Sequence, residues 1–347
     1  MITVAVIGCG YWGPNLVRNL WALDDCSVQT VCDKSRERLQ HMQRLYHGIE
    51  ITTDVNDVLA DSRIDAVVIA TPVQTHHELG KRSLKAGKHT FIEKPLTASV
   101  PEARELVETA HLAKRLLMVG HTFVYSPAVR KVKEIIDSGS IGEVLCISAR
   151  RLNLGLFQTH INVAWDLGPH DLSIVLYLLG SRPVAVSCQG VDHFHTGIED
   201  VTTMNLLFPG GQFVSIQNSW LDPRKTREMT IVGTKKMIVY DDTEPLEKLR
   251  VYDKHVSVPP HYDTYAEFQF SYHYGDVSIP YIRLVEPLKT ETQHFIDCIN
   301  GLAPCLSSGV EGMRVVEVLE RAGESLRADG ALLALGRESA TKDSLYV

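Results

Sequence analysis

Residues 3–13 read Thr3-Val-Ala-Val-Ile-Gly8-Cys-Gly10-Tyr11-Trp12-Gly13. Thr3–Ile7 is a β-branched run that fits a strand, and a helical segment follows near Tyr11–Leu23. The spacing Gly-x-Gly-x-x-Gly is weak alone. Between a strand and a helix it specifies a turn that takes a dinucleotide. Gly8 permits the tight turn, Gly10 lets the backbone approach a pyrophosphate, and Gly13 allows close helix–strand packing. The helix start adds unpaired N–H groups and a positive dipole end. Asp33 follows twenty residues after Gly13, at the end of the second strand, where a carboxylate accepts from an adenosine ribose. That favours NAD. A 2′-phosphate would be repelled by Asp33, although Lys34, Arg36 and Arg38 leave room for NADP.

Strand and helix patterns alternate outward from this turn. Ser27–Cys32, Ala66–Ala70, His89–Ile92 and Leu116–Val119 read as strands, with a helix at about 36–46 and a short one that Asp54 caps. Thr75-His-His-Glu78 and Ser99-Val-Pro-Glu102 match capping boxes, in which Ser/Thr and Glu satisfy N–H groups reciprocally. This is the order of a doubly wound parallel α/β sheet. The style changes after residue 122. A helix at 127–137 and another at 166–179 accompany strands with period-two alternation at 144–151, 184–188, 202–208 and 212–218. Pro209-Gly-Gly211 and Gly233-Thr-Lys235 read as hairpin turns. Helices at 286–298 and 311–328 close the chain, and the last ten residues are polar and read as loose. The expectation is α/β plus α+β: a dinucleotide-binding domain over 1–122, and over 123–347 an open, largely antiparallel sheet with flanking helices for substrate and oligomerisation.

Composition excludes other classes. The 347 residues carry 35 Lys+Arg against 42 Asp+Glu, a net charge of −7, with no basic block to bind nucleic acid. No apolar run reaches the ~20 residues that span a bilayer. The N-terminal apolar run lacks a charged leader and ends in glycines, so a cytoplasmic protein is expected. The seven cysteines are scattered without a Cys-x-x-Cys pair, which disfavours zinc ribbons and redox dithiols and fits small buried hydrophobes.

Two further clusters can carry chemistry. Glu93-Lys94-Pro95 ends the strand His89–Ile92, and ligands of open α/β sheets bind beyond the carboxyl ends of strands. An ammonium there can stabilise a developing alkoxide. A solvated charge is the other reading of a strand-end lysine. In Asp166-Leu-Gly-Pro169-His170, Asp and His share a helix face. Pro169 implies the first helical turn, which would expose His170 to the positive helix end and keep its imidazole neutral, as a general base requires. Asp166 as a helix cap and His170 as a satisfied half-buried ring is the alternative. His193 and His195 share a strand face without a third ligand, so no metal is expected. His76 and His77 fall in a helix's first turn near Thr71-Pro72, where one of them can neighbour a cofactor.

Together, Gly8/Gly10/Gly13, Glu93-Lys94-Pro95 and Asp166-x-x-x-His170 resemble the Gfo/Idh/MocA oxidoreductase family. Ala70-Thr71-Pro72, the stretch 119–127 and Ser140-Ile-Gly-Glu143 are also similar to it. The resemblance implies a Rossmann domain followed by an open sheet whose face makes a homo-oligomer contact, with a small-molecule sugar substrate. It implies a cofactor across Gly8, Gly10, Tyr11, Trp12 and Gly13 with Asp33 on the ribose, bordered by Thr71, Pro72, His76, Glu93 and Lys94. Lys94 and His170 would flank the substrate carbon beside Asp166, in the crevice between the two halves, and the Lys94–Pro95 peptide would be cis. Trp165–Asp171 and Glu286-Pro-Leu…Phe295 resemble members acting on sugar nucleotides, including UDP-N-acetylglucosaminuronate 3-dehydrogenases. Arg150, Arg151, Asn153 and Tyr125 are the corresponding substrate candidates, with exposed sheet-edge charge as the other reading of the arginines.

Overall fold

The computed structural model describes residues 1–257 and 271–336. These form two compact units, Met1–Ser126 with Val285–Glu320, and Pro127–Leu284 with Arg321–Arg337. The polar last ten residues lie outside the described residues. Among the described residues no helix is long and apolar enough to cross a membrane.

In the first unit β1 (Ile2–Ile7), α1 (Gly13–Trp21), β2 (Cys26–Cys32), α2 (Arg36–Leu45), β3 (Glu50–Thr52), α3 (Val55–Ala60) and β4 (Ala66–Ile69) alternate. Then come α4 (His76–Lys85), β5 (His89–Glu93), α5 (Val100–Ala113) and β6 (Leu117–Gly120). All strands pair in parallel, in the order β3-β2-β1-β4-β5-β6. That is the strand order of a Rossmann sheet, which binds ligands where the order reverses. Val4, Val6, Val67, Ile69, Phe91, Ile92 and Val119 are buried, as two-sided burial of a parallel sheet demands. α8 (Pro287–Ile299), although late in the chain, packs on α1, with Phe295 edge-on to Phe91 at 5.6 Å.

Neither capping box forms. Thr75 and Ser99 stand at the N-caps of α4 and α5 without a side-chain cap bond. The Thr75 hydroxyl instead donates to the Pro72 carbonyl at 2.7 Å, and the Thr75 backbone is helical (φ −104°, ψ −8°) rather than extended as in a side-chain cap. Asp54 does cap α3, accepting from Asn56 N–H at 2.8 Å.

The second unit holds α6 (Pro127–Asp137), β7 (Val144–Leu154), α7 (Val163–Leu179), β8 (Ala185–Val191), β9 (Val201–Leu207), β10 (Phe213–Ser219) and β11 (Leu221–Gly233). β12 (Met237–Asp241), β13 (Leu249–Ser257), β14 (Ser271–Ser278), α9 (Gly309–Arg327) and β15 (Leu333–Ala334) complete the described elements, α9 contributing to both units. The nine strands run β14-β13-β12-β11-β7-β10-β9-β8-β15, antiparallel except for β7 with β10. Both expected hairpins form: Gly211 turns with φ +83° between β9 and β10, and Gly233 N–H donates to the Lys236 carbonyl between β11 and β12. Thr202, Met204 and Leu206 point inward from β9 while their neighbours are less buried, and α7 covers this face together with parts of β7 and β10.

α7 starts earlier than its pattern suggests. Asn162 caps it, its Oδ1 accepting from Trp165 N–H at 3.1 Å. Pro169 therefore lies inside the helix rather than in its first turn, and Asp166 is a first-turn residue rather than the cap. His170 is consequently beyond the reach of the positive helix end, whose effect fades within one turn.

Candidate active site

The three glycines of the first turn meet three different constraints. Gly8 has φ +99°, and a Cβ there would come within 2.5 Å of the Ala70 carbonyl oxygen. A Cβ on Gly13 would overlap the Gly8 carbonyl oxygen, so helix and turn touch through the missing side chain. Beyond Gly10 and its two chain neighbours, no atom lies within 4 Å of where a Gly10 Cβ would be. That open side faces a cavity of about 800 Å³, lined by Gly8, Gly10, Tyr11, Trp12, Asp33 and Lys94 among others. α1 has no acidic residue in its first turn and a proline at its start, so its own side chains leave its positive end uncompensated. The Lys94–Pro95 peptide is cis.

Asp33 shapes the next part of the cavity. Oδ2 accepts from Cys9 N–H at 2.6 Å and Oδ1 from Ser35 N–H at 2.8 Å, while Arg38 stands 3.9 Å away. A carboxylate offers about four lone-pair positions, so two remain for a ribose diol. Asp33→Asn is expected to weaken NAD binding about ten- to a hundredfold, the worth of hydrogen bonds to a charged group, while NADP binding holds or improves. Titration with both cofactors checks this; an equal loss for both would remove the ribose role.

Thr71 and Pro72 line the cavity, whereas His76 is buried behind them. Its Nδ1 lies 2.9 Å from the Pro95 carbonyl and its Nε2 2.8 Å from the Thr71 carbonyl. A neutral ring donates to only one of these; burial favours that form and the two carbonyls oppose it. His76 thus positions two strand-end loops and does not face a ligand. Residues not singled out from sequence also line the cavity, including Thr53, Gln74, Leu79 and Arg82. Thr53 and Gln74 follow the carboxyl ends of β3 and β4, so the strand-end rule that selected Lys94 reaches them too.

Beneath Lys94 lies a buried polar cluster. Glu93 pairs in register with Gly120 of β6, where a Cβ would come within 3.0 Å of Glu93 Oε2. Lys94 N–H donates to that oxygen at 3.3 Å, and Thr122 Oγ1 donates to Glu291 Oε2 at 2.7 Å. Among the described residues Glu93 Oε1, Glu291 Oε1 and both ring nitrogens of His121 are buried without a hydrogen-bond partner. Burial pushes the Glu93 carboxyl up to about 7. Burial, and then Glu93, raise Glu291 well above the carboxylate range. Burial and the Lys94 charge hold His121 down at about 3. His121 is therefore neutral at neutral pH and adds no second positive charge beside the ammonium, and burial disfavours a charged Glu291. His121 follows β6 as Lys94 follows β5, a usable signal. Glu291, on α8, has none.

Glu93 has a stability consequence. Below pH 4.5 it is protonated folded and unfolded alike. Between pH 4.5 and about 7 only the unfolded chain ionises, so stability falls with rising pH, by about 3 kcal/mol once the window is crossed. Glu93→Gln cannot ionise. Its stability relative to wild type is expected to improve by about that amount between pH 5 and pH 8 in urea titrations. A pH-independent difference would contradict a buried, protonated Glu93.

In the second unit Asp166 and His170 stand four residues apart on α7, and the Asp166 carboxylate accepts from Trp220 Nε1–H at 3.0 Å. His170 is half-buried. Two substrate candidates are corrected. Arg151 is buried and its Nε and Nη2 each donate to Asp171 at 2.9 Å, so a core ion pair occupies it. Tyr125, in the first unit, is also buried, with its hydroxyl 2.8 Å from Ser307 Oγ. Arg150 is exposed and pairs with Glu228 at 2.9 Å; Asn153 is half-buried.

Residues 2–121 match the family model described as the oxidoreductase family, NAD-binding Rossmann fold, and residues 129–239 match the GFO/IDH/MocA C-terminal domain. The chain belongs to the Gfo/Idh/MocA oxidoreductase family. An uncharacterized oxidoreductase of Bacillus subtilis is 25% identical over 94% of each chain. The scyllo-inositol 2-dehydrogenase (NAD(+)) of the same organism is 26% identical over 88% of this chain and 89% of its own. The solved structure of UDP-N-acetylglucosamine 3-dehydrogenase from Acidithiobacillus ferrooxidans superposes with a TM-score of 0.80 at 24% identity, over 94% of this chain and 98% of that one, a likeness of fold. This Gfo/Idh/MocA protein therefore has the NAD-binding Rossmann fold of an oxidoreductase family. The residues present fit that cofactor: open space at Gly10, a helix start with no acidic residue in its first turn for its phosphates and a carboxylate for its ribose.

Proposed function

We propose that the protein oxidises a secondary alcohol on a sugar ring, free or carried on a nucleotide, with carbon 3 as the favoured position. Bound NAD supplies the hydride acceptor. Lys94 donates a hydrogen bond to the reacting oxygen and stabilises its developing negative charge. His170 takes the hydroxyl proton, and Asp166 binds a neighbouring hydroxyl or orients His170. The observation that carries this reading is Lys94 at the carboxyl end of β5, lining the same cavity as Gly8, Gly10 and Asp33. The sugar-nucleotide version is supported by the likeness of residues 165–171 to such members. A free cyclic polyol is the second reading, favoured by the sequence relative named for inositol and by Arg150 and Arg151 being engaged with Glu228 and Asp171.

NADH formation on a panel of UDP-sugars, free sugars and inositols tests the substrate. One class is expected to dominate, and a panel without turnover would overturn the reading. On the active substrate His170→Ala is expected to lower kcat about 10²–10⁴-fold with NAD affinity kept. Unchanged turnover would remove His170 as the base.

A further inference from the structure

Outside the cofactor cavity, one group of soft ligand atoms converges in the first unit. His294 and Cys298 occupy one face of α8 near its end, and Cys305 returns to them after the turn at Asn300 and Gly301. His294 Nε2, Cys298 Sγ and Cys305 Sγ all lie within 4.8 Å of one another, each residue half-buried. Cys298 Sγ is 3.3 Å from His294 Nε2. Zinc–sulfur bonds of about 2.3 Å and zinc–nitrogen bonds of about 2.0–2.1 Å at tetrahedral angles give an S···N edge of about 3.5 Å and an S···S edge of about 3.8 Å. The Cys298–His294 edge therefore already matches a tetrahedral site, and the other two edges, under 4.8 Å, need to shorten by no more than about 1 Å. The spacing His-x₃-Cys-x₆-Cys matches no familiar zinc pattern, so only the fold reveals it.

We propose that His294, Cys298 and Cys305 bind one divalent cation of the zinc class. Two thiolates and one imidazole suit a borderline-soft ion, where magnesium and calcium demand oxygen. Two thiolate charges balance a dication, so the complex is neutral and tolerates half-burial. The His294 lone pair now accepts from Leu306 N–H at 3.2 Å, the bond the cation would displace. The loop it would anchor leads to Ser307, whose Oγ donates to the Val119 carbonyl at 2.8 Å and meets the Tyr125 hydroxyl at 2.8 Å. Tyr125 packs on the His294 ring at 5.2 Å. The cation would thus tie the end of α8 to the segment after β6 that carries His121. Three protein ligands leave the fourth position to water or a small ligand.

The test uses the full chain, kept reduced and stripped of metal, titrated with Co²⁺ and then Zn²⁺. One Co²⁺ per chain is expected, with a near-ultraviolet sulfur-to-cobalt absorption that one equivalent of Zn²⁺ abolishes. Zn²⁺ in excess should also raise Tm, since it binds the folded chain selectively. Cys298→Ser and Cys305→Ser should each abolish the absorption and weaken Zn²⁺ binding by about a hundredfold or more. His255→Ala, in the separate Asp253/His255/His273 group on β13 and β14, should change nothing. The proposal falls if the wild-type chain shows no thiolate absorption with Co²⁺. It also falls if the serine variants, folded by circular dichroism, bind Zn²⁺ like wild type, or if binding is lost only with His255.

Discussion

Lys94→Ala is expected to lower kcat about 10²–10³-fold while NAD binds within about threefold of wild type. The two effects separate because the residues that anchor the cofactor are not the one that meets developing charge. Gly8, Gly10, the start of α1 and Asp33 are untouched by the change. Lys94 stands at the end of β5, and its charge is felt by buried His121. A single lost donor to a developing oxyanion is worth about 2.7–4 kcal/mol. Lys94→Arg should not restore turnover, because a planar guanidinium cannot replace a compact ammonium. Stopped-flow NADH formation and cofactor fluorescence titration give the two numbers. Near-normal turnover, or loss of NAD binding in a folded variant, would take Lys94 out of the chemistry.

Arg151→Ala should act on the fold instead. Arg151 and Asp171 are 5% and 6% exposed and joined by two 2.9 Å hydrogen bonds. Removing the arginine leaves a carboxylate in the core without its counter-charge, at a cost of about 3–5 kcal/mol. Arg151→Met combined with Asp171→Leu removes both charges and should recover most of that loss. Urea unfolding of the three variants measures it. An Arg151→Ala chain as stable as wild type but with a raised KM would instead restore Arg151 to the substrate.

The same contrast separates what was legible in the chain from what was not. The alternation of strand and helix through β6, the three glycines, Asp33 and both hairpins could be read because each rests on backbone geometry or on neighbours a few residues apart. The Gly8 turn needs a positive φ, and the β9–β10 hairpin needs Gly211, wherever those segments are placed. A shorter-range expectation failed where the backbone departed from cap geometry, as when Thr75 took helical rather than extended angles. Pro169 misled because proline favours the first turn, whereas Asn162 starts this helix earlier and leaves Pro169 inside it, without an N–H for the Trp165 carbonyl.

By itself, then, the sequence determined a dinucleotide-binding sheet, its cofactor turn and the strand-end position of Lys94, all set by local periodicity and sterics. Only the tertiary structure decided that α8 packs on the first sheet, that Glu291 joins Thr122 across 169 positions, and that Cys305 meets Cys298 and His294. It also decided that Arg151 and Tyr125 face the core. The physical reason is common to all four. Burial and pairing depend on which distant surface covers a side chain, and no short-range pattern encodes that surface.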